Sequence, residues 1–367
     1  MTLWAFLRLL ATHGFRVSRS KLGVVAVVIA ASLVNSATAG LVRLIYGRRL
    51  RRVAIAPDPL FIIGFQRSGT TFLNELLAKD PRLASPTTMH CVWPETYLIS
   101  RYFLRAVMRL AMSKKRPMDN VAWNPEAPQE DEVAMLTMGG PSPYSTIAFP
   151  NDLDRFGSTL RLENEDEVFA RRWMRRWLSF LRQVQYLNPE ARLLLKSPTH
   201  TTRIARLLEQ FPNAKFVHIT RDPYRIFSSN VKLSVALPMA FCLQDYEPDF
   251  DERRRAILDG FVRFHQTFDR SRHAIPDGNY VQICYEQLVR DPEATLREVY
   301  QALDLGDFAP VEGPLRAVIE TQKDYKTNLI SMEPDDIKGI NEAWTSYFDT
   351  YGYEKMTAEK PRVAASA

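Results

Sequence analysis

Small, hydroxyl-bearing and basic residues are concentrated between Gly64 and Thr71, in the sequence Gly-Phe-Gln-Arg-Ser-Gly-Thr-Thr. Because this segment follows an apolar run and opens a helical pattern, its backbone N–H groups are expected to form a cradle for an anion. The spacing matches the P-loop of nucleotide-binding proteins, but Thr70 stands where that loop has its lysine. Arg67 supplies a cation instead. The pattern predicts an anion site; the alternative is a strand-to-helix turn without a ligand.

A second basic segment starts at Arg221, directly after the apolar run Lys215–Ile219, and Ser229 follows eight residues later. An arginine at the end of a strand can offer two parallel N–H donors to a phosphate. Taken alone, the segment is equally compatible with a helix-capping Asp222 that follows a salt-bridging arginine. In combination with the first segment, it favours a ligand that carries two separate anionic groups.

Together these segments resemble the sulfotransferases that use 3′-phosphoadenylyl sulfate (PAPS). The sequence FQRSGTTFL is similar to the family's 5′-phosphosulfate loop, and the spacing of Arg221 and Ser229 is similar to its 3′-phosphate motif. Tyr285 resembles the family tyrosine that contacts adenine, and Phe72 the aromatic residue that stacks on it. The resemblance covers roughly residues 60–350. The cofactor-binding residues that it implies are Arg67, Ser68, Gly69, Thr70, Thr71, Phe72, Arg221, Ser229, Tyr285, Tyr325 and Lys326.

The resemblance also implies the reaction. PAPS would donate a sulfuryl group to an acceptor hydroxyl and leave as adenosine 3′,5′-bisphosphate, without a metal. By analogy with phosphoryl transfer, such a displacement needs a cation at the bridging oxygen, a base for the hydroxyl proton and a site that excludes water. Lys196, after the apolar run Leu193–Leu195, resembles the family's catalytic lysine. The alternative for Lys196 is a surface lysine at a strand end.

The catalytic base stays open at this point. Some branches of the family use a histidine shortly after the lysine, but here Pro198 comes first and the histidine is His200. Other branches use a glutamate after the first helix, where this chain has Thr87 and Thr88. A buried carboxylate with a raised pKa could also serve. We rank four candidates, in the order His90, Glu130, His200 and Asp131.

Four short apolar runs must position these residues: Leu60–Phe65, Leu193–Leu195, Lys215–Ile219 and Tyr280–Cys284. Helical patterns follow them at Thr71–Leu77, Thr201–Phe211, after Asp222 and at Pro292–Leu303. Strands that alternate with helices predict an α/β fold with a central parallel sheet flanked by helices, and the family resemblance implies that this is the P-loop-like sulfotransferase fold. An insertion over about residues 81–190 contains helical patterns at Tyr97–Ser113 and Glu167–Gln185, and we expect it to form a lid or acceptor pocket.

The amino-terminal segment differs from the rest in composition. Residues 1–60 contain nine lysines and arginines and one acid, whereas the remainder has 39 basic and 41 acidic residues. Leu22–Val42 is a run of 21 uncharged residues, about the length that crosses a bilayer. The residues Leu3–Leu10 around Arg8 are typical of an interfacial amphipathic helix. We predict a membrane-associated segment at residues 1–56, with a single span or a soluble packing helix as alternatives.

The charge distribution therefore favours a membrane surface over nucleic acid as partner. Three widely spaced cysteines, Cys91, Cys242 and Cys284, exclude a disulfide framework, and no metal-ligand spacing is present. We predict a sulfotransferase domain at residues 57–355 that faces the cytoplasm, and a flexible tail at 356–367. The alternative functions are a P-loop kinase or NTPase and a non-catalytic membrane adaptor.

The acceptor is expected to be a small-molecule or lipid hydroxyl. Apolar residues in the insertion, from Tyr97 to Leu104, favour an amphiphilic alcohol such as a glycolipid, isoprenoid or sterol. A soluble carbohydrate is the alternative acceptor.

Overall fold

The central sheet has five parallel strands in the order β2-β3-β1-β4-β5. They are Leu60–Ile63 (β1), Leu83–Ala84 (β2), Arg192–Lys196 (β3), Lys215–Thr220 (β4) and Tyr280–Cys284 (β5). The computed structural model describes residues 1–103, 124–152, 167–322 and 332–357. The four predicted strands and the α/β class are confirmed. The two-residue strand β2 was not predicted, because a run of that length carries no periodic signal.

The first group of helices lies before β3. These are Leu3–Thr12 (α1), Leu22–Arg51 (α2), Thr70–Leu77 (α3), Thr88–Val92 (α4), Asp131–Thr137 (α5), Ser145–Ala148 (α6) and Glu167–Leu187 (α7). The second group follows β3. These are Ile204–Gln210 (α8), Pro223–Phe241 (α9), Phe250–Ser271 (α10), Tyr285–Arg290 (α11), Pro292–Ala302 (α12), Ala309–Gln322 (α13), Pro334–Ala343 (α14) and Thr345–Tyr351 (α15).

The sheet is buried on both faces, as a parallel sheet between helices must be. Along β1, Phe61 and Ile63 pack with the tryptophans of α7, whereas Leu60 and Ile62 pack with residues of α3 and α12. This alternation explains why the β1 sequence is a continuous apolar run. It also fixes the direction in which the chain leaves β1, toward the segment at Gly64.

The predicted helix at Thr201–Phe211 is interrupted. A 3₁₀ helix covers Pro198–Thr202, and α8 starts only at Ile204. Pro198 at the first position of the 3₁₀ turn is favourable there, because its fixed φ suits a helix start and it needs no N–H donor. The turn places the residues after Lys196 against the insertion.

The insertion packs on the sheet through α4, α5 and α7. The predicted helix at Glu167–Gln185 is confirmed as α7. Of the predicted helix at Tyr97–Ser113, residues 97–103 are helical and the remainder lies outside the described residues. The predicted boundaries of the amino-terminal segment, the sulfotransferase domain and the tail stay predictions.

The amino-terminal segment forms two helices. α2 is continuous over 30 residues, and with the preceding turn it is the one described helix long and apolar enough to cross a membrane. Only 17% of its most apolar window is buried. α1 packs on α2 and on the protein body, where Phe6 and Leu10 contact a cluster with Phe149 and Leu243.

Candidate active site

The turn after β1 has an unusual backbone. Arg67 has a φ of 68° and Gly69 a φ of 102°, both in the left-handed region. Arg67 adopts this conformation at a cost of about 1 kcal/mol, and such strain is concentrated at functional sites. A Cβ on Gly69 would lie 2.2 Å from Cδ2 of Tyr285. Glycine is therefore required at position 69 for the loop to approach the aromatic ring.

Three of the predicted segments meet at this turn. The Nε atom of Arg67 donates a 2.7 Å hydrogen bond to Oγ of Ser229, and the Arg221 guanidinium donates a 2.9 Å bond to the carbonyl of Arg67. The same guanidinium lies 4.0 Å from the centroid of the Tyr285 ring. Phe72 packs edge-on to Tyr285 at 6.5 Å between centroids. These side chains come from the carboxyl ends of the neighbouring strands β1, β4 and β5, where open α/β sheets bind ligands.

Two polar atoms at this edge are buried without a hydrogen-bond partner, Oγ of Ser68 and Nε of Arg221. Burial also lowers the pKa of Arg221, which shows that the guanidinium is short of solvent. Among the described residues, Arg221 has no carboxylate partner. Because an unsatisfied buried donor costs about 1–3 kcal/mol, both atoms are suited to an anionic ligand that would complete their bonding.

The alternative interpretation of the Arg221 segment is right in one respect. Asp222 does cap α9, accepting a 3.0 Å hydrogen bond from the backbone N–H of Arg225. The predicted salt bridge of that alternative is not formed within the described residues. The backbone of Arg221 is held instead by Tyr347, whose hydroxyl contacts both its N–H and its carbonyl at 3.1 Å.

Lys196 lies at the end of β3, on the other side of β1 from Arg221. Its Nζ donates a 2.8 Å hydrogen bond to Oε1 of Glu130 and a 3.2 Å bond to Oγ1 of Thr71. An ammonium has three N–H donors, so one remains for a ligand atom. Lys196 is only 2% exposed. The alternative of a surface lysine is therefore wrong.

Glu130 connects the insertion to Lys196. Its second carboxylate oxygen, Oε2, accepts a short hydrogen bond from the Tyr144 hydroxyl. Burial and the charge of Glu130 raise the pKa of Tyr144 well above its usual value, so this hydroxyl stays a donor. The Glu130 side chain is 18% exposed, so it is the accessible member of the pair. Glu130 and Lys196 thus place a proton acceptor and a cation in contact.

Three consecutive acids of the insertion each bind a different residue in the segment after β3. Glu130 pairs with Lys196, Asp131 with His200 at 2.9 Å, and Glu132 with Arg203 at 2.5 Å. The last two pairs are fully buried. Only the Glu130–Lys196 pair is partly accessible to solvent. It is therefore the candidate for chemistry, whereas the other two pairs hold the insertion in place.

Asp131 and His200 are fixed inside the protein. Burial alone would raise the pKa of Asp131, but the charge and hydrogen bonds of His200, with bonds from Trp177 and Ser197, outweigh it and hold the pKa below its usual value. Nε1 of Trp177 donates to the same carboxylate at 2.6 Å. This arrangement is a structural pair that leaves neither residue able to reach a substrate.

Asp131→Asn is expected to destabilise the protein by about 3 kcal/mol, because breaking one side of a buried pair leaves the other side uncompensated. Thermal or denaturant unfolding of the full chain would measure it. The exposed Asp259→Asn is the matched control and should change stability by less than about 0.5 kcal/mol. A variant as stable as this control, with turnover lost, would instead give Asp131 a role in the chemistry.

His90 is occupied by a local role. It is the third residue of α4, where its Nδ1 accepts a 3.2 Å hydrogen bond from the backbone N–H of Thr87 while Thr87 caps the helix. Burial lowers the pKa of His90 to about 3. A group of that basicity is a weak proton acceptor near neutral pH. Its hydrogen bonds reach neither Lys196 nor Glu130.

The remaining predicted residues fall into two groups. Ser68, Gly69, Thr70 and Thr71 form the turn and the start of α3, as the sequence predicts. Tyr325 and Lys326 lie outside the described residues, and their assignment to donor binding stays a prediction. Among the described residues, no group of three or more His, Cys, Asp or Glu side chains could hold a metal ion.

Comparison with known proteins agrees with this geometry. A family model described as the sulfotransferase family matches residues 59–310. The chain is 37% identical over 359 residues to the omega-hydroxy-beta-dihydromenaquinone-9 sulfotransferase Stf3 of Mycobacterium bovis, covering 98% of this chain and 92% of the relative. The Stf3 protein of Mycobacterium tuberculosis matches to the same extent. The chain belongs to the sulfotransferase family.

Solved structures support the same fold for this sulfotransferase. STF9 from Mycobacterium avium superposes with a TM-score of 0.69 at 21% identity, over 89% of this chain and 85% of that one. STF1 from Mycobacterium tuberculosis has a TM-score of 0.63 at 17% identity, over 86% of each chain. The prediction of an enzyme of the sulfotransferase class is confirmed, and a P-loop kinase or a non-catalytic adaptor is not supported.

Proposed function

We propose that this sulfotransferase transfers a sulfuryl group from PAPS to the hydroxyl of a lipidic alcohol. The observation that carries the donor assignment is the convergence of Arg67, Ser229 and Arg221 on one turn, with buried donors on Ser68 and Arg221 that lack partners. PAPS has a sulfate-bearing 5′ end and a separate 3′-phosphate, which suits two adjacent cationic positions. ATP would lack the lysine grip of a P-loop.

Each residue has a defined task in this proposal. The backbone of the Gly64–Thr71 turn, Arg67 and the N-terminus of α3 would hold the 5′-phosphosulfate, and Arg221 and Ser229 would hold the 3′-phosphate. Phe72 and Tyr285 would contact the adenine. The third N–H of Lys196 would face the bridging oxygen, on which negative charge develops as the S–O bond breaks.

The proton of the acceptor hydroxyl would pass to Glu130. The acceptor oxygen forms the new S–O bond, adenosine 3′,5′-bisphosphate departs with the electron pair of the old bond, and Glu130 Oε1 or Oε2 takes the proton. Tyr144 would keep the carboxylate oriented throughout, because its hydroxyl is bound to Oε2. We favour Glu130 over His90, His200 and Asp131 because it combines contact with Lys196 and access from outside.

The acceptor assignment rests on the relative and on the shape of the insertion. The relative with 37% identity is named for a hydroxylated menaquinone, a polyisoprenoid alcohol. In this chain Tyr102 is 72% exposed and Phe103 53% exposed on the insertion. Exposed aromatic residues are suited to a lipid or to the membrane interface. We infer a long-chain hydroxylated isoprenoid as acceptor, with a soluble carbohydrate as the alternative.

The location follows from the same residues. α2 is apolar, long and mostly exposed, so we propose that it associates with the membrane and that the catalytic body faces the cytoplasm. A lipid acceptor dissolved in that membrane would then reach the insertion without crossing water.

The donor is tested by ligand-dependent thermal stabilisation of the full chain. Adenosine 3′,5′-bisphosphate is expected to raise the melting temperature, whereas ATP with Mg²⁺ is not. Stabilisation by ATP–Mg²⁺ alone would refute the proposal. The acceptor is tested with radiolabelled PAPS and two substrates, an ω-hydroxylated menaquinone and a soluble glycan. Label found only in the glycan would overturn the lipid assignment.

Arg221→Ala is expected to weaken binding of adenosine 3′,5′-bisphosphate by about 10- to 100-fold, because it removes a charge-assisted donor from a half-buried position. Isothermal titration would measure the dissociation constant, and circular dichroism would confirm that the fold is kept. The exposed Arg255→Ala on α10 is the control and should bind normally. Unchanged affinity in Arg221→Ala would contradict the 3′-phosphate assignment.

A further inference from the structure

A groove of about 1010 Å³ lies between α1, α2 and α7. None of the described residues proposed for catalysis or donor binding lines it. Its walls come from the amino-terminal helices on one side and the last helix of the insertion on the other. The groove is therefore a separate feature from the sulfuryl-transfer site, and its contents need a separate explanation.

The groove is lined by an unusual number of arginines. On α7 the lining positions 172, 175, 176, 179, 182 and 183 recur at three to four residues along one face of the helix, and four of them are arginines. The opposite face of α7 buries Trp173, Trp177 and Phe180 in the core. Arginines from α1 and α2 complete the set. Six of these lining arginines are Arg8, Arg51, Arg172, Arg175, Arg176 and Arg182.

Counter-charges are few among the described residues that line the groove. Glu95 is the one acid among them, and it is already bound to Arg43 at 2.8 Å and to the Thr2 hydroxyl at 3.0 Å. Within the described part of the chain, none of the six arginines forms an ion pair. Burial and the charges of Arg8 and Arg43 lower the pKa of Arg176, and the charge of Glu95 opposes them without reversing the shift. Like charges gathered in a partly buried groove repel one another unless an anion is present.

The groove is also apolar in part. Trp4, which is 70% exposed, lines it together with Val42, Leu50 and Phe169. On the side of α2 that faces away from the groove, Leu41, Leu44 and Ile45 are also exposed. An inorganic anion would satisfy the arginines but would leave the apolar side chains of the groove without a partner. A ligand with an anionic group and hydrocarbon chains would satisfy both.

We propose that this groove binds an anionic phospholipid, with the phosphodiester headgroup among the arginines of α7 and the acyl chains along α2. Arginine recognises phosphate oxygens with two parallel N–H donors, and several arginines can share one headgroup. A headgroup held there would lie at the junction of the membrane helix and the insertion. The bound lipid would thereby fix the orientation of the catalytic body on the membrane.

The test uses the full chain in a neutral detergent and three probes. These are phosphatidylglycerol, phosphatidylcholine and soluble sn-glycerol 3-phosphate. Phosphatidylglycerol is expected to raise the melting temperature in a saturable way, whereas phosphatidylcholine, which has no net charge, is not. Equal stabilisation by glycerol 3-phosphate at the same concentration would show a site for free anions and would overturn the lipid assignment. No stabilisation by phosphatidylglycerol would also overturn it.

Arg172→Gln with Arg175→Gln tests the location. Both residues are exposed on α7, so the fold is expected to survive. If each arginine contributes about fivefold to affinity, the double variant should weaken phosphatidylglycerol binding about 30-fold. Arg255→Gln with Arg263→Gln removes the same charge from exposed positions on α10 and should bind normally. An equal loss in both double variants would show diffuse charge attraction and refute a defined site. A second double variant, Arg51→Gln with Arg182→Gln, removes one arginine from each of the two opposite walls and tests the same location.

Discussion

Lys196→Ala is expected to reduce kcat by about 10²- to 10³-fold while it weakens donor binding by less than about tenfold. In the proposed mechanism the ammonium acts on the bridging oxygen, which gains charge only as the S–O bond breaks. Interactions made mainly in the transition state appear in kcat and not in ground-state affinity. Steady-state sulfuryl transfer and titration with adenosine 3′,5′-bisphosphate would measure the two quantities.

Lys232→Ala is the matched control for this variant, because Lys232 is exposed on α9 and has no role in the proposed site. Lys196→Ala should still fold, since Glu130 keeps its bond from Tyr144 and is partly exposed. Equal losses in kcat and in donor affinity would indicate that Lys196 only binds the donor.

Glu130→Gln is expected to lower kcat by about 10²- to 10⁴-fold, the range for removal of a general base. The amide keeps the size of the side chain and can still accept a bond from Lys196, but it cannot take a proton near neutral pH. Steady-state rate measurements near neutral pH, with the exposed Glu190→Gln as control, would test this.

A second variant separates the chemistry from positioning. Tyr144→Phe removes the donor to Glu130 without touching the carboxylate, so it should lower kcat by only about tenfold. If Glu130→Gln retained most of its rate, the base would have to be another group. Because Lys196 and Glu130 act as one unit, the losses in the double variant should be less than additive.

The meeting of the Gly64–Thr71 turn with Arg221 and Ser229 could be predicted from the sequence, because these motifs are local. The turn from Gly64 to Thr71 has its spacing, its strand and its helix within a short stretch of chain. The same is true of Arg221 and Ser229, which lie on one strand-to-helix unit. Parallel strands bring such units to one edge of the sheet, so their meeting follows from the fold class.

The acceptor side was harder to predict because it depends on contacts between distant parts of the chain. Glu130 and Lys196 are 66 residues apart, and no periodicity connects them. The sequence identified both residues as candidates but did not show that they contact each other. Tyr144 was missed altogether, because a tyrosine in a proline-rich stretch carries no signal of its own. His90 was ranked beside Glu130 because its capping role is not visible in the sequence. That role depends on a hydrogen bond from the backbone N–H of Thr87.

The amino-terminal charge and hydropathy predicted a membrane-prone segment, and its helical form agrees with that. They did not predict that α1 packs on the protein body. That packing depends on the shape of the surface it meets, including Gly139, where a Cβ would lie 2.7 Å from Cα of Ala5. A single glycine, such as Gly139, is too weak a signal to predict this contact from the sequence.

The contact between Gly139 and α1 has a practical consequence for anyone who prepares this enzyme. Gly139 lies two residues after α5, the helix that begins directly after Glu130 and holds Asp131 and Glu132. Deleting the first two helices to obtain a water-soluble form would expose the underside of the insertion as well as remove the candidate membrane helix. Any activity lost on such a truncation would therefore report a weakened active-site support, and could not be attributed to loss of the membrane alone.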